Sequence, residues 1–233
     1  LAGKTITRIA IGAWHSCALT SDGVVVCWGY NHDGQLGDGT TTNRSVPVAV
    51  TGGALAGKTV THVATSAWHS CALTQDGNVA CWGGNDYGQL GDGTTTNSSV
   101  PVAVTGGALA GKTITHIAVG YFHSCALTSD GVVVCWGGND YGQLGDGTTG
   151  SSSVPVAVTG GALAGKTVTR IDARGLHSCA LTQDGTVACW GYNGYGQLGD
   201  GTTTNSSVPI AVTAGVLAGK TITRIAIGAW HSC

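Results

Sequence analysis

The residues with most chemical capacity in this chain are its cysteines, at 17, 27, 71, 81, 125, 135, 179, 189 and 233. Eight of them form pairs ten residues apart, and each first cysteine belongs to the string HSC, so that a histidine (His15 in the first copy) stands two residues before it. Such a pair can be a disulfide, two free buried thiols, or, with His15 on the same strand face and Cys27 opposite, three ligands for zinc. Ser21, Asp22 and Gly23 read as a three-residue turn, with Gly23 free to take positive φ. That turn sets Thr20 against Val24 and Cys17 against Cys27. Facing Cα atoms on antiparallel strands lie about 4.5–5.5 Å apart, within the disulfide range. We therefore expect the disulfides Cys17–Cys27, Cys71–Cys81, Cys125–Cys135 and Cys179–Cys189, with no metal. CxxC spacing of the zinc type does not occur.

Two other constellations invite a catalytic or metal reading. His15, Ser16 and Asp22 are the residue types of a hydrolase triad, but neighbours on a strand point to opposite faces, so His15 cannot take the proton of Ser16. The loop NHDGQLGDG offers Asn31, Asp33 and Asp38, yet it lacks the bidentate Glu and the residue order of an EF-hand. It reads as glycine turns in which Gln35 and Asp38 bond to backbone. No catalytic cluster occurs once only, so no enzyme activity and no cofactor are expected.

The elements that position these residues repeat. LAGKT begins at Leu1, Leu55, Leu109, Leu163 and Leu217, a period of 54 residues, which is the signature of a propeller, solenoid or array. The units are 1–54, 55–108, 109–162 and 163–216, with a partial fifth at 217–233 that matches 1–17 letter for letter. In the first unit, strands are expected at Thr5–Gly12, His15–Thr20, Val24–Gly29 and Ser45–Val50, β-branched and bounded by Gly, Asp, Asn or Pro. No helical periodicity is present. The expected fold is all-β, a β-propeller or propeller-like array of four-stranded antiparallel blades.

The long string GAWHSCALTSDGVVVCWGYNHDGQLGDGTTT, repeated with small changes in every unit, resembles the repeat of the regulator of chromosome condensation family. The resemblance covers the whole chain and implies a β-propeller, usually of seven blades. Units one and three share TIT and SDGVVVCWG whereas two and four read TVT and QDG, so the strict period is 108 residues, and alternation around a closed ring would call for an even blade number. Both ends supply the same piece, LAGKTITRIAIGAWHSC, so the chain is expected to be a window on a longer array continuing as ALTSDGVVVCWG, with Cys233 pairing to the new cysteine.

Composition narrows the functions. Lys+Arg 10 against Asp+Glu 12, with 9% charged residues, cannot make the positive stripe that nucleic-acid binding requires. Hydrophobic residues at 42% argue against disorder, and no apolar run is long enough for a membrane-spanning helix. Repeated disulfides point to an oxidising compartment, hence a secreted or cell-surface protein. Asn43, Asn97 and Asn205 stand in N-x-S sequons, candidate glycosylation sites.

Shared residues are explained by the common fold, so we look for partner-binding where equivalent positions differ. The pairs before HSC are Ala13-Trp14, Ala67-Trp68, Tyr121-Phe122, Gly175-Leu176 and Ala229-Trp230. Trp14, Trp68, Tyr121, Phe122, Leu176 and Trp230, with the nearby Arg174, are candidate contacts to a protein partner, another copy of the chain included; wedging against the next blade is the competing role. Trp28, Trp82, Trp136 and Trp190 are read as blade packing. Asp172, Arg44 and His32 are further one-off polar residues. The function expected is a non-enzymatic extracellular structural or adhesive interaction scaffold, able to self-assemble. The family resemblance also implies two alternatives, a secreted enzyme inhibitor and a guanine-nucleotide exchange factor. UV-B photoreception in this family uses tryptophans paired with arginines in GWRHT; the GAWHS of this chain lacks those arginines.

Overall fold

A computed structural model describes residues 3–213, 215 and 220–233; the first three residues of the fifth LAGKT lie outside them. The chain forms four separate four-stranded antiparallel sheets. The first blade holds β1 (Ile6–Ile11), β2 (His15–Thr20), β3 (Val25–Gly29) and β4 (Arg44–Ala49). The second holds β5 (Val60–Thr65), β6 (His69–Thr74), β7 (Val79–Gly83) and β8 (Ser98–Ala103). The third holds β9 (Ile114–Val119), β10 (His123–Thr128), β11 (Val133–Gly137) and β12 (Ser152–Ala157), and the fourth β13 (Val168–Arg174), β14 (His177–Thr182), β15 (Val187–Gly191) and β16 (Ser206–Ala211).

The strand reading is matched at β2 and is off by a residue elsewhere. β4 starts at Arg44 rather than Ser45, and β1 and β3 lose their terminal residues to turns. A single 3-10 turn follows β4, β8 and β12, over Gly53–Leu55, Gly107–Leu109 and Gly161–Leu163, too short to leave a periodic pattern in sequence. The Ser21–Gly23 turn closes as expected, Thr20 N donating to Val24 O at 2.9 Å with Gly23 at φ 79°.

First strands sit at the centre, where β1 packs beside β5, β5 beside β9 and β9 beside β13. Each seam between blades is apolar. The core of the first blade joins Cys17, Leu19, Val25, Cys27 and Leu36 to Val60, Ala72 and Trp82 of the second, and the next two seams repeat this set. Trp82, Trp136 and Trp190 are fully buried, as are Leu36, Leu90, Leu144 and Leu198. Burying each leucine stabilises by about 1.5–3 kcal/mol. Trp28, on the side of the first blade where no preceding blade is described, is only half-buried.

Candidate functional site

The histidines and serines of HSC do meet, but across the seam. His15 Nε2 lies 2.7 Å from Ser70 Oγ, and His69–Ser124, His123–Ser178 and His177–Ser232 repeat the contact at 2.8, 2.8 and 2.9 Å. Each serine hydroxyl donates onward to a carbonyl of the preceding blade, Ser70 to Gln35 O at 3.0 Å and Ser124 to Gln89 O at 2.9 Å. The hydroxyl proton is thus committed, so Nε2 carries the imidazole proton and donates. The same carbonyl accepts from the tryptophan indole: Trp82 to Gln35, Trp136 to Gln89 and Trp190 to Gln143, each at 2.9 Å. Both lone pairs of the glutamine carbonyl are therefore used by the next blade. Burial pushes these histidines down, to about 4 for His15 and His177 and about 3 for His69 and His123. Neutral, buried and repeated at every seam, the rung is structural. Asp22 is occupied elsewhere, paired with Lys4 at the exposed end of the hairpin.

All four cysteine pairs are disulfides, with Cα–Cα distances of 4.0–4.1 Å, and each pair faces across the register of its hairpin. The zinc reading is overturned here, because the sulfurs are bonded to each other. No group of three or more metal-capable side chains is assembled among the described residues. Cys233 is exposed and free.

The long loop is pinned from within. Asn31 is buried; its Oδ1 accepts from Leu36 N at 2.9 Å while Nδ2 donates to Thr40 O and Thr42 O at 3.0 and 3.1 Å. Asn85, Asn139 and Asn193 do the same in their repeats. Gln35 Oε1 accepts from Asp33 N and Asp38 Oδ1 from Thr40 N, so these side chains hold backbone rather than a cation. The one-off Arg44 pairs with Asp38 at 2.8 Å, and His32 stacks on Tyr30. The sequon residues Asn43, Asn97 and Asn205 are exposed, and their Oδ1 atoms accept from the backbone N–H of Asn31, Asn85 and Asn193. Gly91 shows how tight the seam is. At φ 71° it places its Cα hydrogen where a Cβ would lie 2.6 Å from the Trp136 indole nitrogen.

The candidate partner residues gather along one rim, where the first strand passes into HSC. Trp14 and Trp230 are 61% and 50% exposed, while Trp68, Tyr121, Phe122 and Leu176 are half-buried. Several are linked into one run of rings together with tyrosines of the long loop. Tyr87 lies 4.9 Å from Phe122, Phe122 and Trp230 each 6.4 Å from Tyr121, and Tyr192 and Tyr195 at 6.4 and 5.8 Å from Trp230. Tyr141 joins through Tyr192 at 5.0 Å. Trp68, Tyr87 and Phe122 also line a cavity of about 330 Å³ with Tyr30 and His32. Sequence reasoning missed Tyr87, Tyr141, Tyr192 and Tyr195. For Tyr87, Tyr141 and Tyr195 the signal was the change from Asp33 to Tyr at that loop position in the later repeats; Tyr192 stands at the position of Tyr30, which is Gly84 and Gly138 in the two repeats between.

Arg174 is spent differently. Its Nη2 donates to Ile11 O at 2.8 Å, joining β13 to β1 across the central groove. Asp172 bonds backbone N–H groups, Oδ2 to Ile227 at 2.8 Å and Oδ1 to Ala173 at 2.9 Å, while burial pushes its carboxyl up.

Comparison with known proteins places this geometry. A family model described as RCC1-like domain matches residues 1–233. The human E3 ubiquitin-protein ligase HERC2 is 39% identical over 231 residues, which are 98% of this chain and 5% of HERC2. The ultraviolet-B receptor UVR8 of Arabidopsis thaliana is 35% identical over 212 residues, 91% of this chain and 47% of the receptor. Among solved structures, human WBSCR16 superimposes with a TM-score of 0.80 at 32% identity, covering 89% of this chain and 53% of that one. Yeast RCC1 (Prp20) bound to Kap60 superimposes with a TM-score of 0.85 at 22% identity, over 100% of this chain and 54% of that one. The chain thus spans about half the length of these relatives, and far less of HERC2.

Proposed function

The chain belongs to the RCC1-like domain family, and from that premise we propose that it is a non-catalytic structural or adhesive scaffold that engages a protein partner, another copy of itself included, through the aromatic rim. The observation that carries this reading is the run of touching rings from Tyr87 through Phe122, Tyr121 and Trp230 to Tyr192, Tyr141 and Tyr195. Aromatic side chains lose little rotamer entropy on binding and dominate interface hot spots, and clustered apolar surface on a soluble face marks interaction sites. Yeast RCC1 (Prp20), which shares the fold, is itself a protein found bound to a partner protein, Kap60.

The proposed setting is secreted or cell-surface. Four disulfides in a chain of 233 residues support an oxidising compartment. Relatives work in other places, the mitochondrial RUG3 of Arabidopsis thaliana among them, so the disulfides alone bear on the compartment.

The test is association measured by sedimentation equilibrium across a concentration series, for wild type, Trp68→Ala and Trp230→Ala. The expected result is self-association weakened tenfold or more with an unchanged melting temperature. Unchanged association with a melting temperature lowered by several degrees would make the aromatic residues wedges between blades. A wild type that stays monomeric and instead forms a one-to-one complex with an enzyme it inhibits would replace the scaffold reading by the inhibitor reading.

A further inference from the structure

The third residue of each first strand's conserved TIT or TVT run is followed by a basic or imidazole side chain in every repeat: Arg8, His62, His116, Arg170 and Arg224. The first four hold one register position, opposite Leu19, Leu73, Leu127 and Leu181 on the second strands. Because β1, β5, β9 and β13 are the central strands, packed side by side, this column becomes an arc around the axial groove. The His62 and His116 rings are 6.2 Å apart between centroids. That gap lets one oxyanion take a hydrogen bond of about 2.8 Å from each ring. The groove is narrow enough for side chains from opposite walls to meet, since Arg174 already crosses it to Ile11 O. Arg8 stands about 10 Å along its strand from Ile11 and Arg170 about 13 Å along its strand from Arg174, at 3.2–3.4 Å per residue.

Among the described residues no ion pair takes up these charges, and no carboxylate lies within 4.0 Å of Arg8 or Arg170. The one acid on a central strand, Asp172, accepts from the Ala173 and Ile227 N–H groups. His62 Nδ1 and His116 Nδ1 contact the hydroxyls of Thr61 and Thr115 at 3.3 and 3.2 Å, and those hydroxyls donate to Leu73 O and Leu127 O, so Nδ1 carries the ring proton and each Nε2 becomes a donor to a ligand once it is protonated. We propose that Arg8, His62, His116 and Arg170 form a binding site for a doubly charged oxyanion of the phosphate class. Two guanidinium forks supply fixed charge and planar donors, and the two imidazoles add charge as the anion draws protons onto them.

Burial first, then the neighbouring Arg8 and His116 for one ring and Arg170 and Arg8 for the other, hold His62 and His116 below the ordinary histidine value. An anion reverses the charge contribution, so both imidazoles must titrate higher when it is bound. The groups facing them are Arg8 from β1, each other from β5 and β9, and Arg170 from β13.

The experiment is NMR titration of the imidazoles of the whole chain with sulfate, whose charge is constant across the range, and with inorganic phosphate. The expected result is an upward shift of both His62 and His116 by at least half a pH unit, with the exposed His32 unmoved, and tighter sulfate binding at pH 6 than at pH 7.5. Arg8→Gln with Arg170→Gln should weaken binding tenfold or more, and the loop variant Arg44→Gln should not. A phosphoserine peptide that competes for the same two imidazoles while inorganic phosphate does not would assign the phosphoryl group to a modified chain rather than to a free ion. Equal shifts at His32, or sulfate and phosphopeptide both failing to move His62 and His116, would overturn the site.

Discussion

His69 Nε2 donates to Ser124 Oγ at 2.8 Å across the seam between the second and third blades, and Ser124 in turn donates to Gln89 O. Ser124→Ala removes both bonds and leaves a buried imidazole N–H unpaired. We expect a loss of about 1–3 kcal/mol, read as an earlier urea midpoint with an unchanged slope. A midpoint equal to wild type would mean the rung adds nothing to the seam.

Acid should unfold the protein through the same rungs. His15, His69, His123 and His177 are held at about 3–4 when folded and return to about 6.5 when unfolded. Between those values the unfolded chain binds protons that the folded chain refuses. Stability therefore falls as pH drops below 6.5, by about 1.4 kcal/mol per pH unit for each histidine. The Lys58 partner and Thr74 hold Asp76 down to about 2; that contribution, present above the unfolded carboxylate value, is lost only as pH falls from about 4 towards 2. Denaturation followed from pH 7 to pH 4.5 checks the histidine window, where a flat profile would refute it.

The hairpin disulfides should act on the unfolded chain. Closing an 11-residue loop is worth about 2.5–3 kcal/mol in the chain-entropy account, so Cys125→Ala with Cys135→Ala should lose about that much. Peptide mapping without reductant should recover the four pairs as ten-apart cross-links. Recovering them as free thiols would remove the argument for an oxidising compartment.

Asn85 offers a sharper probe of the loop than alanine scanning. Its Nδ2 faces Thr94 O and Thr96 O, both at 3.1 Å. Asn85→Asp would point a carboxylate oxygen at two carbonyls. We expect a loss of about 3 kcal/mol or more at neutral pH, larger than for Asn85→Ala and shrinking relative to wild type as the carboxyl is protonated. Equal losses for the two variants at pH 7.5 would show that the amide donors carry no weight.

What could be seen in the sequence was whatever the chain decides locally. A turn of Ser21, Asp22 and Gly23 fixes the register of β2 on β3, so Cys17 opposite Cys27 follows from counting outward. Strand alternation likewise keeps His15 from Ser16. It does not reveal that His15 meets Ser70, because that partner lies 55 residues away and is chosen by how one sheet lies on the next. The Arg8, His62, His116 and Arg170 column escaped notice for the same reason. Those residues are neighbours only once the first strands are gathered around an axis. Trp230 and its tyrosine neighbours were half legible, since the residues before HSC stand out but Tyr192 and Tyr195 lie in a loop whose glycines draw attention to its turns.

Because Gln35 O receives both Trp82 and Ser70, the long loop of each repeat is built to fit its successor rather than its own blade. Gln89 and Gln143 present the same acceptor to Trp136 and Trp190. The three junctions between complete blades are thus written in one interchangeable code. Excision of residues 55–108 would bring Gln35 face to face with Trp136 and Ser124, and His15 with Ser124, so the buried rung would be rebuilt from the same residue types even though two units of the TIT type would then be neighbours. A gene of this kind can lengthen or shorten by whole 54-residue steps through unequal recombination, and each product inherits a finished joint.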